Sequence, residues 1–292
     1  MPSIIEIVLP TFIVILIGYL IGKLTKLNMA PVVDITVYIG TPALVFVSLL
    51  SKDIVLLNAT KIWAAAVIIM IGCGIFAWLV FKIIKQRHSA LYVPISIMNS
   101  VNIPFPVAYF AYGVEGLIAA TLYSIPNILL MNSLGIYIMA GKQWQENIKE
   151  ILKIPIIYAA CIGLVLNLFN VDVPELAISS LDFIAMMALP LTLLVLGHNL
   201  SIVKISSFPT TILASFLRVG IGLIIGLLVV NIFDITGVFR AVVILNSAMP
   251  AAVMSSIFAT KYNNEAELVS SVVFLTTIAS LIVVPFLLSI VI

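Results

Sequence analysis

Long apolar runs alternate with short polar stretches along the whole chain. Each run holds about 20 residues, which is the length at which a helix crosses the hydrocarbon core of a bilayer. The pattern leaves no stretch long and polar enough to form a water-soluble domain. It predicts an all-α membrane protein with ten transmembrane helices, at residues 4–22, 33–51, 62–84, 90–111, 116–140, 154–169, 176–199, 208–232, 237–258 and 266–291.

The fourth and ninth predicted spans are interrupted by amides and prolines. Residues 98–106 read Met-Asn-Ser-Val-Asn-Ile-Pro-Phe-Pro, and residues 245–250 read Leu-Asn-Ser-Ala-Met-Pro. Irregular backbone at membrane depth is tolerated only where it is buried in protein or lines a cavity. Proline-interrupted spans at matching positions of two halves indicate the binding site of a secondary transporter. We therefore expect spans four and nine to break and cross at a substrate site.

Several residues recur at nearly constant spacing in the two halves of the chain. Asn99-Ser100 recurs as Asn246-Ser247 at an offset of 147. The other matches, at offsets of 145 to 150, are Pro10 with Pro155, Pro42 with Pro190, Tyr112 with Tyr262 and Glu115 with Glu265. Each half holds five predicted spans, an odd number, so the second half enters the membrane from the opposite face. The sequence predicts an inverted repeat, with repeats at 1–140 and 154–292 and a linker at 141–153.

The composition indicates a membrane environment, and the placement of charged residues predicts the orientation of the chain in the membrane. Only 9% of residues are charged, 63% are hydrophobic and the mean hydropathy is +1.29, which indicates an integral membrane protein. Cationic residues collect in alternate loops. One side has Lys23, Lys26, Lys82, Lys85, Arg87, Lys142, Lys149, Lys153, Lys204 and Lys261, and the other has Lys52, Lys61 and Arg240. By the positive-inside rule the first side is cytoplasmic, so both termini are expected outside the cell.

The candidate substrate-binding residues lie at the interruptions and in the spans that follow them. Half-helices that begin near Pro104 and Pro250 would present free N–H groups, which favour an anion. The amides expected to complete the site are Asn99, Asn102 and Asn246. Asn127 and Thr277, which are 150 residues apart in spans five and ten, are further candidates. In the alternative interpretation these side chains only satisfy backbone carbonyls or join helices.

Few charged residues fall inside predicted spans. Arg218, Asp34 and Asp182 are candidates for charge recognition or coupling, because an ionisable residue within the membrane is usually functional. A structural pairing role for Arg218, and an interfacial position for the two carboxylates, remain alternatives. The breaks and the middle of spans five and ten hold no carboxylate, which disfavours cation coupling there. No catalytic motif or phosphate-binding loop is present, so we expect no enzyme activity, metal, cofactor or nucleic-acid partner.

The interrupted spans and the turns after them resemble the auxin efflux carrier family. The resemblance is carried by Asn-Ser followed by Pro in spans four and nine, by Ala-Tyr-Gly-Val-Glu-Gly at 111–116 and by Ala-Thr-Lys-Tyr-Asn-Asn-Glu at 259–265. It covers nearly the whole chain, and the short linker is similar to that of compact prokaryotic members. The resemblance implies a scaffold of spans 1, 2, 6 and 7, a transport domain of spans 3–5 and 8–10, homodimers and elevator-type motion.

The sequence thus predicts a secondary transporter of a small organic anion in the plasma membrane. The fold expected is the one shared with sodium/proton antiporters and bile-acid-type symporters. Two alternatives come from other classes, namely a membrane receptor or scaffold that binds a ligand on the same fold and, as the weaker rival, an intramembrane enzyme. A sodium- or proton-coupled symporter of related fold is a further alternative.

Overall fold

The computed structural model describes residues 3–52, 54–141 and 154–291. The predicted linker, residues 141–153, lies outside the described residues except for Gly141. The helices in chain order are α1 (Ile4–Leu24), α2 (Ala30–Leu50), α3 (Leu56–Ile83), α4 (Tyr92–Ser96), α5 (Pro104–Ala140), α6 (Pro155–Leu168), α7 (Glu175–Ser201), α8 (Phe208–Ile232), α9 (Gly237–Ser247), α10 (Val253–Lys261) and α11 (Ala266–Val291).

Seven of these helices are long and apolar enough to cross a membrane, and they are α1, α2, α3, α5, α7, α8 and α11. The helix α6 is apolar but shorter, with 14 residues. Many large apolar side chains on the long helices are exposed, as expected for surfaces that face lipid in a bilayer. The described chain is therefore that of a multi-pass, helical membrane protein. The count of ten spans and the inverted repeat remain predictions from the sequence.

Both predicted interruptions are present. The helix α4 ends at Ser96, the backbone of Ile97 is extended, and the next helix begins at Pro104. Proline suits a first helical position because its missing N–H would have no partner there. The helix α9 ends at Ser247 and α10 begins at Val253. We call residues 97–103 the first break and residues 248–252 the second break.

The helix α5 covers more than one predicted span. Gly113 has φ 61° and ψ −144°, which is not a helical conformation, so it separates residues 104–112 from residues 114–140. Glycine adopts this region without the steric cost that a Cβ would bring. The kink falls at the predicted boundary between spans four and five. The first part of α5 is therefore the half-helix that follows the first break.

The helices α1 and α7 pack through close backbone contact. A Cβ added at Gly18 would lie 2.2 Å from the carbonyl oxygen of Leu194, and one at Gly197 would lie 2.0 Å from that of Ile15. Small residues allow such approach between membrane helices. The helix α2 packs against α6 and α7. The helices α3, α8 and α9 pack on one another, and α9 also packs on α5 and α11, so the two breaks are enclosed by these helices.

Three polar contacts join residues that the predicted order of spans places on the same side of the membrane. On the side predicted to be outside, Lys52 Nζ lies 3.8 Å from Glu115 Oε2, and Lys61 Nζ lies 3.5 Å from the carbonyl oxygen of Asp234. On the other side, His88 Nδ1 lies 2.6 Å from Glu265 Oε1.

Candidate functional site

The two breaks pair with each other through their backbones. The N–H of Asn99 donates to the carbonyl oxygen of Pro250 over 2.8 Å, and the N–H of Ala252 donates to that of Ile97 over 3.1 Å. Met98 and Ala251 thus form an isolated antiparallel bridge. Backbone groups without water must find partners within the protein. The crossing of the breaks supplies those partners.

Side chains from α5 and α11 complete this pairing. Asn127 Nδ2 donates to the carbonyl oxygen of Met98 over 2.8 Å and to Ser100 Oγ over 2.7 Å. Thr276 Oγ1 accepts from the N–H of Ala251 over 3.1 Å and donates to its own helix over 2.6 Å at Val272. Both side chains are buried. They hold the irregular backbone in place from opposite halves of the chain.

Three buried amides near the breaks keep one polar atom without a hydrogen-bond partner, namely Asn99 Nδ2, Asn127 Oδ1 and Asn246 Oδ1. The orientation of each amide follows from its other contact. Asn99 Oδ1 accepts from the N–H of Asn102 over 3.0 Å, and Asn246 Nδ2 donates to the carbonyl oxygen of Val242 over 2.9 Å. An unpaired buried polar group costs roughly 1–3 kcal/mol. Of the three unpaired atoms, Asn99 Nδ2 is a donor, and Asn127 Oδ1 and Asn246 Oδ1 are acceptors.

The two asparagines that match in sequence occupy different local structures. Asn99 lies in the first break, whereas Asn246 belongs to the last turn of α9 and is fully buried. The ends of the half-helices are related by larger offsets, 151 from Ser96 to Ser247 and 149 from Pro104 to Val253. The structural register thus follows the offset of the tyrosine and glutamate pairs. The Asn-Ser pairs lie about three residues out of that register.

The charges of the helix ends differ between the two sides of each break. The starts of α5 and α10 carry positive partial charge, and the ends of α4 and α9 present carbonyl groups that carry negative partial charge. At the start of α5, Pro104 and Pro106 have no N–H and that of Phe105 donates to the carbonyl oxygen of Val101. Asn99 lies in the first break, where its Oδ1 accepts the Asn102 N–H and its Nδ2 is an unpaired donor.

Arg218 binds the carbonyl ends of both half-helices. It lies in a π-helical turn of α8, Leu217–Ile221, and is fully buried. Its Nη1 donates to the carbonyl oxygens of Ile95 over 2.9 Å and Ser96 over 3.0 Å, and its Nη2 donates to that of Ser247 over 2.5 Å. The ion pairs among the described residues do not include it. Arg218 is thus paired with helix ends rather than with a carboxylate.

The remaining predicted residues are not all brought to the breaks. Thr277 donates its hydroxyl to the carbonyl oxygen of Val273 in its own helix over 2.7 Å. Asp34 and Asp182 are exposed on α2 and α7. Within the described residues no cluster of three His, Cys, Asp or Glu side chains is arranged to hold a metal ion.

A cavity of about 330 Å³ lies among α3, α4 and α5. Its lining is almost entirely apolar and includes Met70, Trp78 and Leu134, and it reaches the breaks only at Ser96 and Ile97. None of the predicted site residues lines it. The unpaired amide atoms themselves are closed off in this conformation. Access to them requires movement of the surrounding helices.

Comparison with known proteins agrees with this arrangement. The sequence profile of a family described as membrane transport protein matches residues 3–288. The chain belongs to this family. The resemblance to the auxin efflux carriers is thereby confirmed, since this is the family they define. The chain is a membrane transporter, a class that does not comprise enzymes.

Two archaeal relatives cover nearly the same length. An uncharacterized transporter of Methanocaldococcus jannaschii is 27% identical over 297 residues, covering 96% of each chain. An uncharacterized transporter of Methanothermobacter thermautotrophicus is 26% identical over 292 residues, again covering 96% of each. The similarity therefore extends over the helices on both sides of the breaks and over both breaks.

The sequence did not identify two of the groups that hold the breaks together. Thr276 lies beside the candidate Thr277, but only the fold shows that its hydroxyl accepts a hydrogen bond from the N–H of Ala251. Ser100 was noted as half of a repeated pair, and the fold shows that it accepts a hydrogen bond from Asn127. Ser100 is next to Asn99 in the sequence, and Thr276 is next to Thr277. This proximity to predicted site residues is the only indication of their role that the sequence carries.

Proposed function

We propose that this membrane transporter moves a small organic anion and binds it where the two breaks cross. The observation that carries the proposal is the pairing of Asn99 with Pro250, which joins the two breaks next to a buried donor without a partner, Asn99 Nδ2. Helix starts and this amide N–H favour a carboxylate. The unpaired Asn127 Oδ1 and Asn246 Oδ1 are acceptors, which suit a hydroxyl or another donor on the organic part of the anion. Asn99, Asn102, Asn127 and Asn246, with Pro104 and Pro250 near the half-helix starts, are the proposed substrate-binding residues.

The packing of the helices supports an elevator-type mechanism. The contacts of α1 with α7 and of α2 with α6 and α7 form one group, and the helices around the breaks form another. The first group touches the second where α1 packs on α5 and α11 and where α2 packs on α5. We propose that the first group is a scaffold, that the second carries the substrate, and that the two are related by inverted repeats. Movement of one group against the other would open the closed amides to alternate sides. In this proposal the scaffold also forms a homodimer in the plasma membrane.

The direct test is substrate binding by the Asn246→Ala variant. A ligand that binds the folded protein raises its unfolding temperature, so the purified protein is heated with small mono- and dicarboxylates and with their matched amides. We expect stabilisation by a carboxylate in the wild type and its loss in Asn246→Ala. The same carboxylate is then followed into proteoliposomes, which separates a transporter from a receptor.

The matched control is Asn132→Ala. Asn132 Nδ2 donates to the carbonyl oxygen of Ile128 in its own helix over 2.9 Å, just as Asn246 Nδ2 donates within α9. Unlike Asn246, Asn132 is not among the residues with a buried unpaired polar atom, so this variant should keep the full response to the carboxylate. Equal responses in both variants would overturn the assignment of Asn246. Stabilisation by neutral or cationic compounds instead of anions would overturn the substrate class.

A further inference from the structure

Arg218 presents an unusual arrangement, a fully buried cation that donates to three backbone carbonyls at the ends of two other helices and also lies beside the Cys73 thiol of α3. Burying a charge without compensation is costly. The compensation here comes from two helix ends, because Ile95 and Ser96 end α4 and Ser247 ends α9. The end of α9, which has 11 residues, carries partial negative charge from its aligned peptide dipoles, whereas α4, with five residues, contributes mainly the dipoles of its last carbonyls.

The local structure of α8 is built around these contacts. The π-helical turn Leu217–Ile221 carries Arg218, and one turn later Gly222 allows the end of α9 to approach. A Cβ at Gly222 would lie 2.2 Å from the carbonyl oxygen of Ser247 and 2.3 Å from Arg218 Nη2. No side chain larger than hydrogen fits without moving the carbonyl or the guanidinium. Local π-helical turns often occur at functional positions.

We propose that Arg218 is a positioning residue of the transport site, which ties the ends of α4 and α9 to α8 and cancels their negative charge. The two breaks then keep their antiparallel register, and the helix starts of α5 and α10 are the charges left for a substrate. The planar fork of arginine is required because one guanidinium must reach two helix ends at once, which a lysine ammonium does not do equally well. This inference has two parts. The charge part, that Arg218 cancels the negative charge of the helix ends and so favours an anion, rests on the proposed function. The positioning part, that Arg218 holds the two breaks in register, does not.

The positioning part is tested by amide hydrogen exchange in Arg218→Met and Arg218→Lys. The reporters are peptides containing Asn99 and Ala252, whose N–H groups form the bonds between the breaks. Hydrogen bonds to a charged group contribute roughly 1.5–3 kcal/mol each, so Arg218→Met should exchange at least about tenfold faster at both reporters. Arg218→Lys should fall between Arg218→Met and the wild type. Unchanged exchange in Arg218→Met would overturn the proposal.

Arg240→Met is the matched control. Arg240 belongs to α9 and donates to Asn231 Oδ1 over 3.0 Å, away from the breaks. Its replacement should leave both reporters unchanged.

A second pair of variants applies if Arg218→Met does not fold. Gly222→Ala displaces the Arg218 contact with Ser247 while keeping the charge, whereas a Cβ at Gly220 meets only the ring of Phe216, at 3.2 Å. Faster exchange in Gly222→Ala than in Gly220→Ala supports the proposal, and equal exchange overturns it.

The charge part is tested by comparing a stabilising carboxylate with its matched amide. Arg218→Met should lower the apparent affinity for the carboxylate about tenfold more than that for the amide, because uncompensated helix ends repel only the anion. A residue that merely supported packing would lower both affinities alike, and that result would overturn the charge part. If the wild type binds no carboxylate while Arg218→Met still loosens the breaks, the proposed function fails and the positioning role stands.

Discussion

The backbone N–H of Asn99 donates to the carbonyl oxygen of Pro250 over 2.8 Å and so joins the two interrupted segments of the chain. Neither residue has a helical partner for that group, because both lie between half-helices. The bond therefore replaces what each interrupted helix has lost. The side-chain Nδ2 of Asn99 stays buried and unpaired. The backbone of Asn99 thus joins the breaks, whereas in the proposed function its side chain binds the substrate.

Thr276→Val should destabilise the protein by about 1–3 kcal/mol, because the buried N–H of Ala251 would lose its acceptor. Thr276→Ser keeps the hydroxyl and should recover most of that loss. Thermal unfolding in detergent measures both effects. Thr277→Val is the control, since its hydroxyl bonds only within α11, and it should cost less. If the two valine variants were equally destabilised, Thr276 would have no special role at the second break.

Gly18→Ala should weaken the contact between α1 and α7. The new Cβ would lie 2.2 Å from the backbone carbonyl oxygen of Leu194, so the helices must separate. Overpacking of this kind costs roughly 1–3 kcal/mol. Gly40→Ala is the comparison, because its Cβ would meet Ala188 at an ordinary distance of 3.5 Å. A fall in unfolding temperature confined to Gly18→Ala is expected, and equal effects would contradict this account of the packing.

Cysteine labelling tests the predicted orientation of the chain in the membrane. In a background without Cys73 and Cys161, a cysteine at Gln86 should be protected in intact cells from a maleimide that does not cross membranes. A cysteine at Lys52 should react with it. Both positions are exposed in the structure. The distribution of Lys and Arg predicts this result, since the loop containing Gln86 is on the lysine-rich side. The reverse pattern of labelling would invert the assignment of both termini.

Most helix positions followed from the sequence. The helices α1, α3, α8 and α11 lie within a few residues of predicted spans, because long apolar runs have few alternatives in a bilayer. The two breaks also followed from the sequence, since proline and clustered amides disfavour a continuous apolar helix. The kink at Gly113 falls between two predicted spans, and its non-helical backbone divides α5 at that boundary.

The sequence predicted the candidate site only in part. The pattern identified Asn99, Asn127 and Asn246 as unusual, and all three are buried with an unpaired atom. It did not show that Asn99 lies in a break while Asn246 lies within α9. Matching residues 147 apart and matching residues 150 apart indicate a repeat equally well in the sequence. On a helix, however, a difference of three residues decides whether a side chain lies before or after the end of the helix.

The sequence by itself determined the membrane environment, the positions of the helices and the two interruptions, because hydrophobic length and proline act locally. The tertiary structure decided how the interruptions pair and where Arg218 goes. A buried guanidinium can bind a carboxylate, an anion or backbone carbonyls, and sequence spacing does not distinguish these partners. The choice depends on which groups α4, α8 and α9 bring within about 3 Å of it, and only packing of the whole chain sets those distances.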